Sequence, residues 1–194
     1  MTATQFTPAN SAVLLIDHQD GTMSWVRSMP VADMKKNVLA LAKAAKALGM
    51  PLVLTSSLED QAQGPLMSDL KDIAPEEYAG RVRRKGVVDA FGDEAYADAV
   101  RATGRRNLIV AGVTNDVCTV FPTITAREQG FEVRVVADAG GSMSKAADDL
   151  ALARMKESGA EMVSANMMLT ELAQDWSSDA GAKLIPIVGE LIPQ

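Results

Sequence analysis

The chain has a single cysteine and a single histidine among its 194 residues. No internal disulfide can form, so a reducing compartment is the simplest home and the expected location is cytoplasmic. Zinc sites built on several His, or on His with Cys, are hard to assemble from His18 and Cys118 alone. A Ser-His-Asp or Cys-His hydrolase would have to use His18 as its base. A cationic surplus is also missing. Nineteen Lys and Arg face 25 Asp and Glu, a net charge of −6, with a pI near 4.8. That argues against nucleic acid and anionic membrane surfaces as main partners. No apolar run approaches a membrane span, and the polar segment from Met1 to Ser11 lacks the apolar stretch of a secretory signal.

What is present is enough apolar material, 47% of residues, for a sizeable core in one domain. Short unalternating apolar runs occur at Ala12–Ile16, Pro51–Thr55, Asn107–Ala111 and Glu132–Ala137, with a weaker one at Glu161–Ser164. Such runs suit parallel strands covered on both faces. Helical spacing lies between them: Met34, Val38, Leu41, Ala45 and Leu48 before Gly49, Val117, Phe121 and Ile124 before Gly130, and Ser144 to Ser158 before Gly159. Repeated strand–helix–strand units imply a parallel α/β sheet with right-handed crossovers. Residues 56–80 read as loops with a short helix. The whole chain, 1–194, reads as one domain, with 180–194 a candidate oligomerisation arm. That apolar, twice proline-broken stretch either packs on its own domain or buries against another subunit.

The segment Leu108–Thr119 is the most informative. A buried strand runs into Gly112, then a polar turn, then a helix for which Asn115 or Asp116 is a good N-cap. Cys118 then falls in the first turn, where free N–H groups and the helix dipole favour the thiolate. The same N–H groups could hold an oxyanion. Pro122 cannot donate to the Cys118 carbonyl, so the helix should loosen beside the sulfur. The plainer account of a lone cysteine is a small buried hydrophobe.

Asp17 directly follows the first strand, where a carboxylate points into the ligand crevice of a parallel sheet; a turn or cap role is the plainer account. Gln19 could share its side, while His18 would point away. In Arg81–Gly86, extended alternation places Arg81, Arg83 and Lys85 on one side and Val82 and Arg84 on the other. Lys85, just before Gly86, could reach the crevice and hold Asp17 or Cys118 charged. Arg81, Arg83 and Arg84 read as a solvated basic edge.

With these residues in place, the chain resembles the isochorismatase-like cysteine hydrolases, and within them the YcaC-like branch. The resemblance runs from Ser11 to about Trp176. It is carried by AVLLIDHQ (Ala12–Gln19), RKGVVDAF (Arg84–Phe91), AGVTNDVC (Ala111–Cys118) and VVADAGGS (Val135–Ser142) in this order and spacing. It implies an α/β fold of three layers: a doubly wound, Rossmann-like, six-stranded and mainly parallel sheet with helices on both faces. Asp17, Lys85 and Cys118 would meet at its C-terminal edge as a catalytic triad. It further implies a cis peptide just before Thr114, which in the family helps to aim backbone N–H groups, here those of Thr114 and Cys118, at an oxyanion. Many members carry Thr where this chain has Asn115. The metal-ligating Asp and two His of the nicotinamidase branch have no counterpart, so neither a metal nor a cofactor is expected. Members that cleave isochorismate generally lack the cysteine.

The resulting expectation is a hydrolase acting on a small C–N substrate (amide, carbamoyl or ureido) through a thioester, with Gln19, Trp25, Phe91 and Asn115 as candidate pocket residues. A small-molecule substrate and a homo-oligomer, tetramer or octamer, are the expected partners. Two other readings stand beside it: a thiol redox sensor or small-ligand-binding protein without turnover, and a hydrolase that uses His18 as base. Asp138 is read as a turn residue.

Overall fold

The computed structural model describes residues 5–192. Its six parallel strands are β1 (Ser11–Ile16), β2 (Leu52–Ser57), β3 (Val82–Arg84), β4 (Asn107–Gly112), β5 (Glu132–Val136) and β6 (Glu161–Val163), in spatial order β3-β2-β1-β4-β5-β6. The order reverses between β1 and β4, which makes the C-terminal ends of these two strands the topological switch point where such sheets bind ligands.

β1 shows why the runs do not alternate. Val13 and Leu15 pack into a core with α2 (Val31–Ala47), α3 (Asp69–Ile73), α8 (Ala165–Ala173) and α9 (Asp179–Gly189). Ala12, Leu14 and Ile16 face a second core with α5 (Glu94–Ala102), α6 (Val120–Glu128) and α7 (Lys145–Glu157). Both faces are covered, so every position from Ala12 to Ile16 is apolar. The three-layer, doubly wound fold expected from the sequence is thus the one present. α2 ends where Gly49 takes a positive φ of 64°, as its spacing required. Residues 56–80 hold two one-turn helices, α3 and α4 (Pro75–Ala79), and a further short helix, α1 (Asp20–Ser24), follows β1.

The C-terminal stretch differs from its irregular reading. Pro186 lies inside α9. Leu184 and Ile187 sit in the first core against α2 and α8, while Ile185 stays exposed. Residues 193–194 of the candidate arm lie outside the described residues. Among the described residues no helix is long and apolar enough to cross a membrane.

Between β1 and the turn after β5, His18 is fully buried. Its Nε2 lies 2.9 Å from the Ala139 carbonyl, which can only accept, so Nε2 carries the proton. Nδ1 is buried without a partner. Burial holds the imidazole neutral and lowers its pKa from 6.5 to about 4. Between these values the unfolded chain binds a proton that the folded chain does not, so stability rises with pH through this window and is lost on acidification. At about 1.4 kcal/mol per pH unit the effect reaches roughly 3 kcal/mol. His18→Gln should therefore lose less unfolding free energy than wild type between pH 7 and pH 4.5, by urea titration. Equal losses would refute this account.

Candidate active site

Asp17 continues the β1 ladder by donating its N–H to the Thr55 carbonyl at 3.0 Å. It then takes a left-handed φ of 57°, an allowed though uncommon region for Asp. The chain turns away and leaves the carboxylate in the crevice. The Thr22 hydroxyl holds this turn by donating to the Asp17 carbonyl at 2.7 Å.

The cation that meets Asp17 is Arg84. Its Nη2 donates to Asp17 Oδ2, and both side chains are 1% exposed. Arg84 reaches across the end of β2: Nε donates to Thr55 Oγ1 at 3.1 Å, and Nη1 to the Val87 carbonyl at 2.6 Å. Lys85 is exposed and lines an adjoining depression with Glu59, Asp60 and Arg83, which shares only Leu58 and Arg84 with the cleft that holds Cys118. This corrects the expectation for Lys85. Alternation along β3 separates Arg84 from its neighbours as expected, but the inward parity is that of Val82 and Arg84, and Gly86, at φ 101°, then turns the chain.

Cys118 sits in a π-helical turn, Asn115–Thr119, ahead of α6. This is the loosening that Pro122 called for. The cap residue is Thr114, in extended conformation, rather than Asn115 or Asp116. Its carbonyl accepts the N–H groups of Val117, Cys118 and Thr119 at 3.3, 2.8 and 3.2 Å. The Cys118 N–H is therefore engaged within the turn, against the expectation that it is free for an oxyanion. The Thr114 backbone, which follows a cis peptide after Val113, favours the ionised form of the Cys118 thiol.

The thiol is partly exposed and interacts with Asp17. Asp17 Oδ1 is buried without a hydrogen-bond partner. Burial, followed by the Asp17 charge, pushes the Cys118 pKa well above its ordinary value; Arg84 and the Thr114 backbone oppose this only in part. The expected depression is thus reversed: a carboxylate neighbour and a desolvated pocket outweigh the helix start. Burial also raises the Asp17 pKa, against the pull of Arg84, which makes it a stronger base than a free carboxylate.

These groups line a cleft that contains about 580 Å³ of unfilled space, part of it open to solvent, the scale of a small-molecule site. Trp25 lines it as expected, with Thr114 and Cys118. Gln19, Phe91 and Asn115 do not. Gln19 is buried and ties the Ser57 backbone to the Gly64 carbonyl. Phe91 meets Tyr96 edge-to-face and Phe131 at a tilt in the second core. Asn115 donates to Asp148 Oδ1 at 3.0 Å. Asp138 is a turn residue that accepts the Ala165 N–H at the start of α8, at 2.7 Å. The sequence reading missed Leu58, Val87, Val88 and Met143, which form the walls.

With this geometry in view, the comparisons with known proteins are specific. The isochorismatase domain model matches residues 11–167. The chain belongs to the isochorismatase family and is a hydrolase of its YcaC-like branch. The probable hydrolase YcaC of Escherichia coli K12 is 39% identical over 170 residues, covering 88% of this chain and 81% of that protein. YcaC from Pseudomonas aeruginosa, solved with hexane-2,5-diol and covalent acrylamide, superposes with a TM-score of 0.94 at 39% identity, over 100% of this chain and 94% of that one. The E. coli YcaC structure, described as an octameric hydrolase of unknown specificity, gives 0.94 at 37% identity, over 100% and 93%.

The two basic neighbours make a direct test. Arg84→Ala strands the buried Asp17 carboxylate and should cost about 3–5 kcal/mol of stability, whereas Lys85→Ala should stay within about 0.5 kcal/mol of wild type. Denaturant unfolding of both variants measures this, and the reverse ranking would return Lys85 to the site.

Proposed function

We propose that the protein is a cysteine hydrolase of small C–N substrates, an amide, carbamoyl or ureido compound, working through a thioester with Asp17, Arg84 and Cys118 as its catalytic set. The observation that carries this reading is the carboxylate set between a guanidinium and a lone thiol at the switch-point crevice. Asp17 accepts the thiol proton as sulfur attacks the carbonyl carbon. The carbonyl π electrons move to oxygen, and the Thr114 N–H lies on the sulfur's side to meet that charge. Asp17 returns the proton to the departing amine. It then deprotonates water, which attacks the thioester, and the sulfur leaves as the reprotonated thiol. Arg84 holds Asp17 in place through both halves and favours its ionised form each time the proton has been passed on.

A thiol with a raised pKa suits this coupled transfer, since the thiolate forms only as the base takes its proton. It counts against the redox-sensor alternative, which needs an accessible low-pKa thiolate. His18, buried and turned to Ala139, does not meet the requirement that a base reach the nucleophile. The covalent acrylamide in the Pseudomonas relative is an electrophile of the class that thiols attack. A reducing cytoplasm would keep Cys118 free.

We also propose a homo-oligomer, in line with the octameric E. coli relative, with the exposed side of the C-terminal segment, Ile185 and Ile192, as part of the contact. Mass photometry should show an assembly of four or eight chains; monomer alone would refute it.

The chemical test is a screen of amides and ureas with ammonia or amine release as readout, joined to intact-mass detection of an acyl adduct. Cys118→Ser should abolish turnover and the adduct. Asp17→Asn should lower kcat/KM by about a hundredfold or more, the scale of a lost general base. Turnover of the same substrate by Cys118→Ser at near wild-type rates would overturn the mechanism.

A further inference from the structure

We propose that the cleft selects uncharged substrates bearing a compact apolar group, an inference that rests on the hydrolase reading above. Asp17 and Arg84 are the only side chains of fixed charge type that line the cleft among the described residues, and they are bonded to each other and buried. Each of the other two guanidinium nitrogens of Arg84 already donates once, to Thr55 and to Val87, and the side chain is 1% exposed, so its remaining N–H groups are withdrawn from the cleft. No cation is left to meet a substrate carboxylate or phosphate. An anionic group would enter without a counter-ion, next to the Asp17 carboxylate, and would lose hydration without replacement.

The remaining polar lining is neutral. The Thr22 hydroxyl is held by the Asp17 carbonyl, which leaves Ser57, Gln63 and Thr114 to hydrogen-bond an uncharged head. The walls are Trp25, Leu58, Val87, Val88, Val117 and Met143. Val87, Val88, Val117 and Met143 remain 43, 52, 38 and 53% exposed. Four apolar side chains left open around one mouth are surface that an apolar substituent covers on binding. Arg84 shapes this wall directly, because its bond to the Val87 carbonyl holds the Val87–Val88 segment beside the thiol. The same pair that equips the chemistry therefore also removes the only positive charge from recognition.

The test uses two probes with one warhead, N-propyl iodoacetamide and N-(2-carboxyethyl) iodoacetamide. Their second-order rates at Cys118 in the full-length protein are read by intact mass, each divided by its rate with 2-mercaptoethanol. The neutral probe should be preferred at least tenfold. Val88→Lys, at an exposed position, should narrow that preference at least threefold by supplying the missing counter-ion, and circular dichroism would show that the variant is folded. A wild-type ratio near one, or a preference for the carboxylate, overturns the inference, as does an unchanged ratio in folded Val88→Lys. If Cys118 in the folded protein reacts with neither probe, the hydrolase reading itself falls and this inference falls with it.

Discussion

The ion pair between Asp17 and Arg84 organises the C-terminal edge of the sheet. Both charges are out of water, a costly arrangement unless each finds further hydrogen bonds. Arg84 meets this by spreading its donors over Asp17, Thr55 and the Val87 carbonyl. Asp17 is less complete, because Oδ1 is buried without a hydrogen-bond partner. The incompletely satisfied carboxylate is thus the one that interacts with the nucleophile. A buried pair of this kind is a poor source of stability and a good means of holding a base in one place.

Three strands are needed to make that pair. β1 delivers Asp17, β2 supplies Thr55 as a bridge, and β3 ends on Arg84, with Ile16 paired to Thr55 and Ser57 to Arg84 in the ladders. β4 brings the thiol from the other side of the switch point. A parallel sheet aligns the C-terminal ends of all four strands, so residues distant in sequence converge at one edge without a dedicated scaffold.

The electrostatics of the thiol follow from the same enclosure. An isolated helix start would favour thiolate, but here the turn's own Thr114 carbonyl takes up its N–H groups, and the neighbouring charge is negative. The protein keeps sulfur protonated at rest and places the acceptor for its proton alongside. Apolar walls serve the same end, since a substrate that covers them expels water and strengthens each polar contact inside the cleft.

Much of this was legible in the residues alone. Apolar runs located five of the six strands because two-sided burial leaves a one-dimensional mark, whereas β3, with the sequence VRR, carries no such run; the lone cysteine after β4, with the aspartate after β1, stood out by position in a strand–helix–strand pattern. Alternation also separated Arg84 from Arg83 and Lys85 correctly. It could not say which parity faces inward, because that depends on how β3 docks on β2. Gln19, Phe91 and Asn115 show the same limit: each has a plausible side chain near the motifs, yet each is drawn to a partner far along the chain, at Ser57, Phe131 and Asp148. The direction of the Cys118 shift likewise required tertiary structure. Local helix geometry is written in sequence, whereas desolvation and the approach of a carboxylate from another strand exist only once the sheet is assembled. The sequence by itself determined the elements and the reactive residue types; the tertiary structure decided which cation pairs with Asp17 and how the thiol is poised, because both depend on distances between strands that the chain does not join directly.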